Sequence, residues 1–209
     1  MQRGRFNSRW IVSRPVSASA LVVAGLLLSL GAAAAQRLEV KPVVERKVTR
    51  LPEGPLFWRI ENVPTLAQAQ AAAGPTALAA EAAGKVWLFT LGPKGGVTPG
   101  ASRVAEIGPV PQIAASEYLL RINRAGGPPG AKTPVHTHPG SEAFYVLTGT
   151  LGQKTPHGVG YAEAGATMNG HGGADMPMEV FSAGASDLDQ LVMFVVDANR
   201  PFSSPAKFD

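Results

Sequence analysis

The sequence predicts an all-β fold, an antiparallel sandwich or barrel, and three observations carry that expectation. From Lys85 onward, short β-type runs bounded by Gly and Pro recur with turns every 8 to 12 residues or so. No long helical stretch interrupts them, and no strand-helix alternation calls for a parallel sheet. Cysteine is absent, so stability must come from a buried core rather than from disulfides.

The first 35 residues are read as a secretory signal. Arg3, Arg5, Arg9 and Arg14 precede the apolar run ALVVAGLLLSLGAAAA. That run is short of the roughly 20 apolar residues a transmembrane helix needs, and it ends in small residues suited to signal peptidase. Cleavage is expected after Ala35, by a Sec-type route to the periplasm or outside the cell; an uncleaved N-terminal anchor is the alternative. With this segment goes the basic character of the chain. Of 19 Lys and Arg residues the segment holds four and no acid, which leaves 15 cations against 15 Asp and Glu. A neutral mature chain gives no footing to a nucleic-acid partner or to stable membrane attachment after cleavage.

Residues 36–84 read as an N-terminal arm followed by alanine-rich helices. LFWRI at 56–60 has the composition of a first strand. TLAQAQAAAGPTALAAEAAG favours helix, with Thr65 as N-cap and Gly74-Pro75 splitting it into two short helices. Residues 85–198 carry the strands KVWLFTL, SRVAEIG, SEYLLRINR, KTPVHTH, EAFYVLTGTLGQKT, GVGYAEAG, MEVFSAG and LDQLVMFVVDA. The tail RPFSSPAKFD, 199–209 with Asn199, is expected to run over the surface.

One stretch concentrates chemistry. HTHPGSE, at 136–142, holds two of the four histidines. His136 and His138 are two apart in a β-type run, so their side chains point the same way about 6.6 Å apart at Cα, and both imidazoles can reach one ion. Pro139-Gly140-Ser141 turns the chain, and Glu142 opens the next strand with its carboxylate able to point back. Two nitrogens and one oxygen make a facial set that leaves positions open for water, substrate or dioxygen. Phe144 and Val146 follow Glu142 at period two and should line an apolar pocket. Taken alone, a His-x-His is as readily a polar strand surface.

The spacing extends further: Gly130, five residues, His136-Thr137-His138, three residues, Glu142, six residues, Gly149. This resembles the first motif of the cupin superfamily at every position. The resemblance implies an antiparallel jelly-roll β-barrel, here with a short N-terminal helical segment, and a divalent metal ion inside it held by His136, His138 and Glu142. Fe, Mn, Ni, Zn and Cu are not distinguished. The second cupin motif is altered: in EAGATMNGHGG, Gly165 is kept, but Glu163, Met168 and Gly172 stand where proline, histidine and asparagine are expected. Three outcomes stay open for the fourth ligand. Met168 packs in the barrel, Met168 takes a soft ion such as Cu(I), or His171 swings in on a loop made pliable by its flanking glycines.

Arg121 and Asn123 share one face of YLLRINR and, if that face is the lumen, could orient a substrate. His157, Tyr161 and Glu163 are read as solvent-facing, and Tyr145, Trp58 and Trp87 as packing. Two functions remain: a metalloenzyme of dioxygenase or isomerase type acting on a small molecule, or a binding protein holding a small molecule or metal without turnover. The segment 37–60 is available for strand exchange in a homodimer.

Overall fold

The computed structural model describes residues 1, 36–170 and 174–208. The leader (but for Met1), His171 and Gly172 lie outside the described residues. In chain order the elements are β1 Glu39–Val48, β2 Phe57–Asn62, α1 Leu66–Ala72, β3 Ala77–Ala82, β4 Lys85–Gly92, β5 Ser102–Ile107 and β6 Tyr118–Gly127. There follow β7 His136–Thr137, β8 Gly140–Thr148, β9 Thr150–Thr155, β10 Gly158–Glu163, β11 Thr167–Asn169, β12 Glu179–Ser182, β13 Leu188–Asp197 and β14 Ser204–Pro205. Among the described residues no helix is long and apolar enough to cross a membrane.

The strands form antiparallel sheets in the orders β1-β6-β13-β8-β11, β10-β9-β12, β14-β7 and β3-β4-β2-β5. An isolated bridge between His136 and Met178 joins the β14-β7 pair to the segment leading into β12. The five-stranded sheet therefore has a neighbour on each side. Strand β13 shows why: its residues are buried nearly throughout, and they alternate between two cores. Leu191, Met193 and Val195 meet Trp58, Ile60, Leu78 and Phe89 of the four-stranded sheet. Val192, Phe194 and Val196 meet Leu38, Leu151 and Val180 on the other side. Each large side chain so buried contributes roughly 1.5 to 3 kcal/mol. Trp58 and Trp87 are fully buried, and Trp87 stacks on Phe89 and meets Tyr145 edge-on at 6.0 Å, so these aromatics pack as expected.

Three expectations are corrected. The alanine-rich run holds one helix, not two: α1 is capped by Thr65, whose Oγ accepts from the Gln68 amide, but the part after Gly74-Pro75 is strand β3. Pairing with β4 satisfies the backbone of this part and buries Ala77 and Leu78. Strands β4 and β5 lie in the outer four-stranded sheet rather than around the cavity described below. The tail does more than cross the surface, since β14 pairs with β7 beside that cavity. Within the chain β1 pairs with β6.

Candidate metal and ligand site

The site forms where β7 turns into β8. His136 sits in β7, His138 follows the strand, and Gly140 opens β8 against β13 so closely that a Cβ there would strike the backbone of Val195 and Val196. Gly149 ends the same strand at φ +74°, with a Cβ position 2.6 Å from the Asp187 carbonyl oxygen, so only glycine serves that turn. Between these two glycines the pleat sends Glu142, Phe144 and Val146 to one face, opposite Phe194, Val192 and Gln190 of β13. Glu142 and Phe144 of that face line a cavity of about 440 Å³ whose walls also include His136, His138, Phe194 and Phe202, whereas Val146, expected to line it, packs in the apolar cluster with Leu151.

The two histidines have fixed tautomers. Nδ1 of His136 donates to the Pro134 carbonyl at 2.8 Å, and Nδ1 of His138 to the Phe202 carbonyl at 2.6 Å. A carbonyl only accepts, so each Nδ1 carries the proton in the neutral ring and each Nε2 is left with a lone pair. The rings lie 4.9 Å apart, with His138 also against Phe194 and Phe202. Glu142 is 4 % exposed; its Oε1 accepts from Nε2 of buried Gln153 at 2.6 Å, and its Oε2 stands 4.0 Å from His138 Nε2.

Burial sets the charges. It pushes the Glu142 carboxyl up to about 8, against the opposing bond from Gln153. It pushes His138 down to about 4, against the opposing bond to the Phe202 carbonyl and helped by the charges of His136 and Arg121. Between those values both groups are neutral, so the 4.0 Å approach of His138 to Glu142 is not an ion pair.

A divalent ion suits the His138 and Glu142 donors. An ion there would be held by His138 Nε2 and Glu142 Oε2, which stand 4.0 Å apart and would draw together on ligand bonds of about 2.0 to 2.2 Å. The free Nε2 lone pairs are the metal-binding form of histidine, and the acceptors held at Nδ1 and the Gln153 amide are the outer partners such ligands carry. Among the described residues, no three His, Asp or Glu side chains are gathered at ion-binding distances as they stand. The three side chains would close together to hold an ion.

The remaining expected residues are dispersed. Phe144 lines the cavity; Met168, paired opposite it, packs into the apolar cluster with Val146 and Leu151. Arg121 stands behind the wall: its Nε donates to Asn123 Oδ1 at 2.8 Å, and its guanidinium lies over the Phe202 ring at 4.4 Å. Asn123 itself lines the cavity. His157, Tyr161 and Glu163 are exposed. Gln153, Gln190 and Phe202 did not stand out in the sequence. The first two lie at period two from apolar residues that face the same core, Leu151 and Val192, which is the signal that could have found them.

No family model and no curated protein matches the sequence. Among solved structures, the chain is similar to the DMSP lyase DddQ from Ruegeria pomeroyi, at 19% identity over 42% of this chain and 43% of that one, with a TM-score of 0.36. It is similar to a cupin superfamily protein from Desulfitobacterium hafniense, at 13% identity over 37% of this chain and 68% of that one, TM-score 0.33. It is likewise similar to an oxalate oxidase in complex with the substrate analogue glycolate, at 21% identity over 41% and 45% of the chains, TM-score 0.34. The chain thus spans less than half the length of the lyase and the oxidase.

Proposed function

We propose that this chain is a cupin that binds a small molecule beside one divalent ion held by His136, His138 and Glu142, a metalloenzyme of dioxygenase or isomerase type working in the periplasm. The observation that carries the proposal is the buried pair of His138 and Glu142 at 4.0 Å on the wall of an apolar cavity. Two further histidine properties support it, the carbonyl-locked tautomers of His136 and His138. Bound there, the ion supplies Lewis acidity or a place for dioxygen. The chain's own residues do the rest. Gln153 holds Oε1 of Glu142 and leaves Oε2 toward His138. Phe144, Phe194 and Phe202 keep water from the polar atoms and hold the apolar part of a substrate. In the empty protein Glu142 keeps a proton up to about pH 8, and that proton must leave as an ion enters.

A second reading, a binding protein that takes its small molecule without an ion, draws on the spacing of the donors: as they stand, His136, His138 and Glu142 are not gathered around one point. Metal quantification by mass spectrometry separates the two. The untagged mature chain from Gln36 should carry about one equivalent of one metal, and the His136→Ala/His138→Ala variant none. Absence of metal in both, after reconstitution with Fe, Mn, Ni, Zn and Cu, leaves the ion-free reading.

A further inference from the structure

The cavity has a second polar feature away from Glu142. Gln190 is 0 % exposed and lines the cavity, and among the described residues neither its Nε2 nor its Oε1 has a hydrogen-bond partner. A buried amide left unpaired costs free energy on both its donor and its acceptor sides, and natural cores seldom keep one without a use. Its place in the sheet sets its distance from the candidate ion. Glu142 is opposite Phe194, Phe144 opposite Val192 and Val146 opposite Gln190. Four residues along β13 put the amide about 13 Å from the level of Glu142. Between them lie Phe144 and Val192, with Asn123 opposite Val192 on the other neighbouring strand. Asn123 gives its Oδ1 to Arg121, which leaves its NH2 as a donor.

We infer that Gln190 is the specificity-determining group for an elongated ligand, apolar in its middle and ending in a neutral group that both donates and accepts hydrogen bonds, of the carboxamide or hydroxyl class. An amide side chain presents a donor and an acceptor side by side, so a group of the same kind satisfies both at once. Charge at that end is disfavoured. Among the described residues, those lining the cavity include no Lys, Arg or Asp, and Glu142, the lone carboxyl among them, lies four residues away along the sheet. A charged group would be buried there without a counter-ion. The inference rests on the cavity being a ligand site, as proposed above, but not on the ion.

Benzamide and its apolar isostere isopropylbenzene test it, titrated by NMR against the purified protein and against metal-stripped protein. Replacing the amide by Gln190→Leu should weaken benzamide about tenfold and leave isopropylbenzene unchanged or tighter. The same substitution should raise the unfolding midpoint of the empty protein by about 3 °C, because it removes an unpaired buried amide. Gln190→Met serves as a second variant of different shape. The inference is overturned if benzamide does not bind the wild type, if it binds wild type and both variants equally, or if both variants lower the midpoint. An ion-site failure shows separately, as absence of metal with the benzamide preference intact.

Discussion

Protonated, the carboxyl of Glu142 suits the folded protein better than its anion, and the neutral imidazole of His138 suits it better than the cation. Folding raises Glu142 from 4.5 to about 8, so its stabilising contribution is full below pH 4.5 and is lost as pH rises through 8. Folding lowers His138 from 6.5 to about 4, so its contribution is full above 6.5 and is lost as pH falls through 4. From 4.5 to 6.5 the two trends oppose each other. Stability of the metal-stripped protein should therefore be flat across that interval and fall on either side of it, as urea midpoints measured from pH 3 to 9 would show. In Glu142→Gln the alkaline fall should disappear and the acid one remain; an unchanged alkaline limb would assign it to another group. At this scale the sequence made the histidines and Glu142 legible, because metal-binding side chains at strand spacing are rare. It did not reveal Gln153, a neutral residue whose whole effect lies in where the fold aims it.

Whole elements were legible where pattern and burial agree, and illegible where a neighbour decides. β-type composition between turn residues marked β8 and β13 as strands, and the near-continuous apolar run of β13 fits a strand covered on both faces, yet nothing in its own residues says which layers cover it. Strand β3 shows the same limit from the other side. Its alanines favour helix, and only β4 alongside makes it a strand. Gly170, just after β11, makes a close approach: it donates its amide to the Glu142 carbonyl at 3.0 Å, and a Cβ on it would stand 2.7 Å from both Cγ and the carbonyl oxygen of Glu142. Gly170→Ala should cost about 1 to 3 kcal/mol, read from denaturant midpoints, because the backbone oxygen cannot step aside as a side chain would. A loss below about 0.5 kcal/mol would mean that the backbone at position 170 shifts away from Glu142 to make room.

For the whole molecule, the antiparallel all-β architecture was legible from strand spacing and the lack of strand-helix alternation, whereas the outer sheet and the role of the tail were not. Phe202, Ser203 and Pro205 line the cavity, and the Phe202 carbonyl holds His138. A chain ending at Asn199 should keep its β-type circular dichroism, bind benzamide at least about tenfold more weakly, and let His138 titrate closer to 6.5 in NMR as solvent reaches it. Retained affinity would show that the tail covers the cavity without shaping it. The shared strand has a temporal consequence as well. Because β13 completes two cores and follows twelve other strands in the chain, the ribosome makes their common wall after nearly all the rest. Until then neither apolar layer can close, and the nascent polypeptide stays in the loose, threadable state that the proposed export route requires.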